Sequence, residues 1–176
     1  MVDGKVVQVL TNTPSASTYN VCRAKPSEMN DLNRITRKVA NEETYRFGLS
    51  TLHAWIRFME LVLHISYNLS FKKWYATTDV HKKEKETKKR YIQKRFRNEL
   101  GLTIDKPRQV SGNSNDGNTA RRFFDNEACT ADITGIDEEL IRRFHVILQA
   151  ISSGIQINPQ KFGEYAYRTA ELYVTK

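Results

Sequence analysis

The sequence predicts an all-α fold, an irregular multi-helix bundle with a short N-terminal strand or extended segment. Three observations predict it. From Ser27 onward, apolar residues recur every three or four positions, which is the period of an amphipathic helix. Capping residues and glycines mark helix starts and ends along this part of the chain. Only the stretch KVVQVLT, Lys5–Thr11, has the β-branched composition of a strand, so no sheet is expected.

The composition fits a soluble globular chain with an acidic partner. The 176 residues are enough for one ordinary domain, and 39% hydrophobic with 27% charged residues is typical of folded proteins. A formal net charge of +8 favours nucleic acid as partner, with an anionic membrane surface second, and composition does not separate them. No apolar run is long enough to span a bilayer and no signal-peptide pattern opens the chain, so we expect an intracellular protein without a membrane partner.

We expect two parts, an extended N-terminal segment at residues 1–26 and a helical domain of five to six helices at residues 27–176. Pro14 breaks the polar stretch of the first part. In the second part, Ser27 can cap a helix whose apolar residues share one face: Met29, Leu32, Ile35 and Val39.

The stretch STLHAWIRFMELVLHISYNLSFKKW predicts the central helix, with Ser50 as its N-cap. Two adjacent apolar stripes leave only a narrow polar edge, so this helix should be largely buried. The polar edge consists of His53, Arg57, Glu60 and His64. Because His53 and His64 are about three turns apart, one zinc ion cannot reach both. We interpret the edge as solvated, with ion pairs or contacts to a neighbouring helix.

The next helical stretch, HKKEKETKKRYIQKRFRNELG, is strongly basic, and Gly101 can close it. Its apolar face is predicted to contain Tyr91, Ile92, Phe96 and Leu100. Nine basic residues stand against two glutamates between positions 82 and 97, so ion pairing within the helix cannot neutralise them. Phosphate binding is the natural role, and a solvated face is the alternative. The predicted nucleic-acid contacts are Lys82, Lys83, Lys88, Lys89, Arg90, Lys94, Arg95 and Arg97.

The stretch Asp105–Asn118 has loop composition, and its second part is the beginning of SGNSNDGNTARRFF, Ser111–Phe124. We predict that SGNSNDGN is exposed and that Asn118 caps a short helix, whose free N–H groups favour an anion. Arg121 and Arg122 would lie at its first turn and are added, with Asn118, to the predicted nucleic-acid contacts.

Two uses of these arginines remain open. They can bind a phosphate, or they can bind a carboxylate such as Asp125 or Glu127. Phe123 or Phe124 should anchor the short helix in the core. The stretch matches neither the P-loop nor the dinucleotide fingerprint.

Two more helices complete the prediction. Asp137 can start the first, with an apolar face that continues to Ile151, and Gly154 can close it. Pro159 can stand at the first position of the last helix. This helix has no stop signal before Lys176, which indicates a piece of a longer chain.

Four stretches of this chain resemble a group of transposon-derived proteins of insect genomes: MVDGKVVQVLTNT, LSTLHAWIRFMELVLHISYNLSFKKW, SGNSNDGNTARRFF and ITGIDEELIRRFHVILQAISSG. They are long and cover nearly the whole chain. The group is in turn similar to Transib transposases and to the catalytic subunit of the vertebrate V(D)J recombinase. This second similarity rests on the neighbourhood of Cys22, on Leu52–His53 at the start of a long helix, and on the pattern Gly117-Asn118-x-Ala120-Arg121.

The resemblance implies the helical zinc-binding insertion of an RNase H-like DDE recombinase. In that family a Cys-x-x-Cys and a later histidine pair hold one zinc ion, and the surrounding helices touch DNA. Here Cys22 matches the second cysteine, but Tyr19 occupies the first position and the histidine pair would lie beyond Lys176. We therefore expect no metal and no cofactor, with Cys22 as a remnant ligand position. The catalytic acids would also lie outside Met1–Lys176, so we expect no enzyme.

The resemblance thus implies a truncated, degenerate fragment of a DDE-type DNA transposase or recombinase, namely its helical DNA-contacting insertion, with no catalysis alone. The expected partners are DNA and the remainder of a transposase chain, with no small-molecule substrate, and the expected location is the nucleus. The alternative is a helical protein–protein interaction module with a solvated basic face. The salt dependence of duplex binding separates these two functions.

Overall fold

In the regions that can be described, the regular secondary structure of the protein is helical. In a computed structural model, these regions are residues 4–15, 17–47, 50–71, 75–107 and 114–175. Every regular element within them is a helix, which confirms the predicted all-α fold.

The first of two compact units comprises Met1–Ser50 and Gly163–Lys176. The predicted division of the chain at residue 26 stays a prediction. The α-helices with residues in this unit are α1 (Gly4–Leu10), α2 (Leu32–Thr36) and α8 (Pro159–Thr175), and two 3-10 helices lie at Pro26–Glu28 and Glu42–Phe47.

The strand or extended segment predicted at Lys5–Thr11 is wrong, because this stretch forms α1 and the turn after it. A lone strand leaves its backbone N–H and C=O groups without partners, whereas a helix pairs them within the segment. At the end of α1, the N–H of Thr11 donates to the carbonyl of Val7 at 2.9 Å. Val7 is buried and Val9 is exposed, so one side of this short helix packs inward. Local backbone pairing therefore outweighed β-branched composition.

The helix predicted from Ser27 is divided into two elements. A 3-10 helix covers Pro26–Glu28, and α2 begins only after Asp31. The Asp31 carboxylate accepts a hydrogen bond from the Arg34 N–H at 3.0 Å, which makes Asp31 the N-cap. A second capping residue thus started a new helix within the predicted one.

The second compact unit, Thr51–Phe162, contains the core that positions the candidate site. Its central helix, α3 (Thr51–Asn68), contacts each of the four helices that follow, which confirms the predicted central, largely buried helix. Its buried apolar side chains are Trp55, Met59, Val62, Leu63 and Tyr67. The helices of this core are α3 (Thr51–Asn68), α4 (Asp79–Leu100), α5 (Gly117–Asp125), α6 (Glu127–Thr134) and α7 (Glu138–Ser152).

Three predicted helix boundaries are confirmed. Gly101 ends α4 with φ of +62°, a left-handed conformation that favours glycine, and its N–H donates to the carbonyl of Phe96. Asp137 caps α7 by accepting a hydrogen bond from the Leu140 N–H at 3.2 Å. Pro159 is the first residue of α8.

Candidate nucleic-acid interface

Helix α4 presents a row of cations to solvent because its opposite side is fixed in the core. Ile92, Gln93 and Phe96 are its buried residues, and they determine which side faces outward. At about 100° per residue, four basic residues fall within about 60° of one another on the outer side. All four are exposed. We call this set the cationic stripe: Lys83, Arg90, Lys94 and Arg97.

The cationic stripe keeps most of its charge. Among the residues that the structure describes, Lys83, Lys94 and Arg97 have no carboxylate within ion-pair distance. Arg90 pairs with Glu86 at 3.1 Å, but both side chains are more than half exposed. Such exposed pairs contribute at most about 1 kcal/mol and are screened by salt. At least three uncompensated cations therefore face solvent along one line.

Tyr91 borders the cationic stripe. Its side chain was predicted on the apolar face of α4, but it is 59% exposed, so that prediction is wrong. The reason is geometric, because Tyr91 lies about 100° from Ile92 and about 140° from Phe96 around the helix. An exposed aromatic ring beside cations can stack on a base or a sugar.

Other predicted cations of α4 hold the fold together. Lys89 pairs with Asp105 at 3.3 Å and lies over the ring of Tyr67, 5.6 Å from its centroid. Arg95 pairs with Glu99 at 2.6 Å and with Asp132 at 2.7 Å. It also donates to the backbone carbonyl of Asp132 at 3.2 Å, which ties α4 to α6. Both cations are therefore paired with carboxylates of the folded chain.

The two remaining predicted cations of α4 lie outside the stripe. Lys82 pairs with Asp79 at 3.0 Å in the first turn of the helix. Lys88 is partly buried on the flank of α4 and has no ion-pair partner within the described ranges. The eight predicted contacts of α4 thus separate into four on the stripe and four elsewhere.

Glu99 is the charged centre of the contact between α4 and α6. A hydrogen bond from Arg95 holds the pKa of the Glu99 carboxyl below its ordinary value. The Cys129 thiol lies 3.7 Å from the same carboxylate, and partial burial together with Glu99 raises the pKa of that thiol. The arrangement is therefore an ion-paired carboxylate beside a neutral thiol.

The short helix after the loop begins earlier than predicted. Its first residue is Gly117, and its N-cap is Asp116, whose carboxylate accepts a hydrogen bond from the Thr119 N–H at 2.9 Å. The predicted N-cap, Asn118, is an exposed residue inside the first turn, so that prediction is wrong. A Cβ at Gly117 would overlap Cδ1 of Leu52, so a larger residue in the first turn would require the Leu52 side chain to move.

The stretch SGNSNDGN was predicted to be an exposed loop. This is wrong for Ser114 and Asn115, while residues 111–113 lie outside the described residues. Ser114 and Asn115 are buried. The Asp105 N–H donates to Oδ1 of Asn115 at 2.8 Å, and Nδ2 of Asn115 donates to the Asp105 carboxylate at 2.8 Å. The Lys106 N–H donates to Oγ of Ser114 at 3.0 Å. These bonds join the two ends of the loop, so its base is a packed structural joint.

The paired arginines of α5 each contact a neighbouring element. Nη2 of Arg122 donates to the carbonyl of Leu100 at 2.8 Å, which satisfies a carbonyl at the end of α4. The guanidinium of Arg121 lies over the ring of Trp55, 5.7 Å from its centroid. Both arginine side chains remain exposed. Their positions leave part of each guanidinium open to solvent.

The carboxylates suggested as partners of these arginines face another residue. Glu127 lies 2.7 Å from Nδ1 of His145, and Asp125 lies 3.8 Å from Nε2 of the same ring. Phe123 and Phe124 are fully buried, which confirms their predicted anchoring. The ring of Phe124 contacts α3 and α7, with centroids 5.9 Å from Trp55 and 6.1 Å from His145.

Cys22, which the resemblance predicts to be a remnant ligand position, has a free, half-buried thiol. Tyr19 lies close enough to Cys22 for the two groups to interact, and burial, followed by this interaction, raises the pKa of the Tyr19 hydroxyl. On the polar edge of α3, Arg57 pairs with Glu60 at 2.9 Å, as an ion-paired solvated edge predicts. Within the described ranges, no three His, Cys, Asp or Glu side chains are placed to hold a metal ion.

Comparison of the chain with protein-family models and with curated proteins found no match. Among the described helices, none combines the length and the hydropathy needed to cross a bilayer. The candidate interface is therefore defined by the geometry and the charge of its own residues.

Proposed function

We propose that this chain binds duplex DNA through the phosphate backbone, as the helical DNA-contacting part of a DDE-type transposase-like protein. The observation that carries the proposal is the cationic stripe of α4, in which at least three exposed cations lack a carboxylate partner among the described residues. Neutralising DNA phosphates releases counterions, and this is the dominant sequence-independent term in DNA binding.

The dimensions of the stripe fit this partner. Lys83 and Arg97 are fourteen residues apart, or about 21 Å along the helix axis. Duplex DNA carries a negative charge about every 1.7 Å of its axis, so each stripe cation has phosphates within reach. Contacts of this kind position a protein on the duplex and do not read bases. We therefore expect affinity with little dependence on sequence.

In this proposal the chain supplies binding, and strand-transfer chemistry belongs to other parts of a transposase. Its partners are DNA and the remainder of such a chain, and its location is nuclear. The support for this wider role is the resemblance of the four stretches quoted above. The alternative, a protein-interaction module with a solvated basic face, predicts no steep loss of duplex binding with salt.

The test compares two triple variants by fluorescence anisotropy with a mixed-sequence duplex over a series of salt concentrations. The stripe variant replaces Lys83, Lys94 and Arg97 with glutamine. The control variant replaces three exposed cations that have no described ion-pair partner: Arg37, Lys161 and Arg168. Both lower the formal net charge by three.

We expect the stripe variant to reduce the slope of log affinity against log salt by about 2.7, since each lost contact removes about 0.9. The control variant should keep nearly the parent slope. Equal losses in the two variants would show a general charge effect, and a parent without salt-dependent binding would support the interaction-module alternative.

A further inference from the structure

A cavity of about 320 Å³ lies between the end of α4 and the first turns of α5. Its polar lining includes two cationic side chains, from Lys106 and Arg122, and no carboxylate belongs to the described residues around it. Three hydroxyl groups complete this lining: Thr103, Ser114 and Thr119. Small-molecule sites have volumes of about 300–1,000 Å³, so this cavity has room for a phosphate group and a few waters.

Bonds fix the Arg122 guanidinium and the Lys106 backbone, and they leave N–H donors of both cationic groups available. Arg122 uses Nη2 to bind the carbonyl of Leu100, and a guanidinium has five N–H donors in all. A Cβ at Gly101 would lie 3.7 Å from that Nη2, so the guanidinium borders the open space beside the glycine. The backbone of Lys106 is fixed by Ser114, through a bond to Oγ at 3.0 Å and one from the Ser114 N–H at 2.8 Å. The Lys106 ammonium has no ion-pair partner in the described part of the chain.

The cavity lies at the C-terminal end of the cationic stripe. Gly101 follows Arg97 by four residues and Lys94 by seven, so it falls on the same line of the helix surface. From Lys83 to Gly101 this line is about 27 Å long. That is the axial length of about eight base pairs at 3.4 Å each. DNA that follows the stripe would bring a backbone phosphate to the mouth of the cavity.

We propose that this cavity receives one phosphate group of the DNA backbone, held by Arg122 and Lys106, an inference that rests on the proposed binding of DNA along the stripe. The guanidinium fork matches two phosphate oxygens, and the ammonium adds a point charge. Serine and threonine hydroxyls commonly donate to phosphate oxygens in protein–DNA contacts. The site thus adds one anchored contact beyond the α4 stripe.

The test uses Lys106→Gln, because this exposed side chain can change while the backbone bonds of Lys106 remain. The matched control is Lys161→Gln, an exposed lysine of α8. We expect Lys106→Gln to weaken duplex binding several-fold and to reduce the salt slope by about 0.9, with Lys161→Gln equal to the parent. If both single variants bind as the parent does while the stripe variant loses its slope, the cavity inference is overturned and the proposed function stands.

Inorganic phosphate is the second probe, added at constant ionic strength and followed by amide chemical shifts in NMR spectra. We expect saturable shifts at Gly101, Thr103 and Thr119 that Lys106→Gln abolishes, and competition between phosphate and DNA for the parent protein. Saturable shifts without any effect of Lys106→Gln on DNA affinity would assign the cavity to free phosphate and overturn the inference. A parent that binds no duplex would overturn both the inference and the proposed function.

Discussion

Helix α4 has an outer side and an inner side that carry the same residue types for different purposes. Lys94 and Arg95 are neighbours in the sequence, but Lys94 is exposed without an ion-pair partner among the described residues, whereas Arg95 binds Glu99 and Asp132. The aromatic residues divide in the same way, since Tyr91 is exposed and Phe96 is fully buried. Residue type therefore does not decide function on this helix; the side of the helix does.

The largest expected effect is a difference in stability between substitutions of the two aromatic residues, Phe96 and Tyr91. The ring of Phe96 stacks on Phe123 with centroids 5.2 Å apart, in the middle of the core. We expect Phe96→Ala to lower the free energy of unfolding by about 3–5 kcal/mol, because it leaves a cavity that neighbours fill only in part. Tyr91→Ala is the matched control, with an expected change within about 0.5 kcal/mol. Urea unfolding measures both, and similar losses would mean that the two sides of α4 are not distinct.

The next effect is a difference between the neighbouring cations, for which the melting temperature and the salt slope of DNA binding are measured in Lys94→Gln and Arg95→Gln. Arg95→Gln should lower the melting temperature, since Glu99 and Asp132 lose their shared partner, while the salt slope of DNA binding is retained. Lys94→Gln should leave the melting temperature unchanged and reduce the salt slope by about 0.9. Equal reductions of the slope in both variants would contradict the assignment of Arg95 to the fold.

Local signals in the sequence were enough for the main helices. Each of these signals depends only on neighbours in the chain, and each is confirmed. They are the apolar stripes of α3, the helix end at Gly101 and the helix starts at Asp137 and Pro159. The strand predicted at Lys5–Thr11 is wrong because β-branched residues form a strand only where they pack against a partner strand. A local sequence pattern does not show whether such a partner exists.

The details of the site depended on contacts between distant residues. Aspartate and asparagine are both good N-cap residues, so the local pattern does not decide between Asp116 and Asn118. In the folded chain Asp116 is the N-cap, and the residue after it, Gly117, lies close to Leu52. Arg95 meets Asp132 across 37 residues, so its structural role has no local signal. Lys106 was missed for a related reason, because only the folded chain brings it to the same cavity as Arg122.

The smallest expected effect is a pH dependence at the contact between α4 and α6, where Glu99 pairs with Arg95. The pKa of Glu99 is lowered from its ordinary value of 4.5, mainly by the hydrogen bond from Arg95. A carboxyl with a lowered pKa in the folded state contributes stability that is present above its unfolded pKa and is lost as the pH falls through the folded pKa. Arg95 stays charged throughout, since its two carboxylate partners raise its pKa, and the Cys129 thiol stays neutral because its pKa is also raised.

The measurement is the melting temperature of the parent and of Glu99→Gln at a series of pH values. We expect the parent to melt higher near neutral pH and the difference to shrink as the pH falls below 4.5, where Glu99 in the parent becomes protonated and resembles glutamine. Asp132 faces the same guanidinium and is retained in both proteins. A difference that does not change with pH would mean that Glu99 contributes through packing and not through its charge. Lys94→Gln, on the outer side, should melt in parallel with the parent across the whole range.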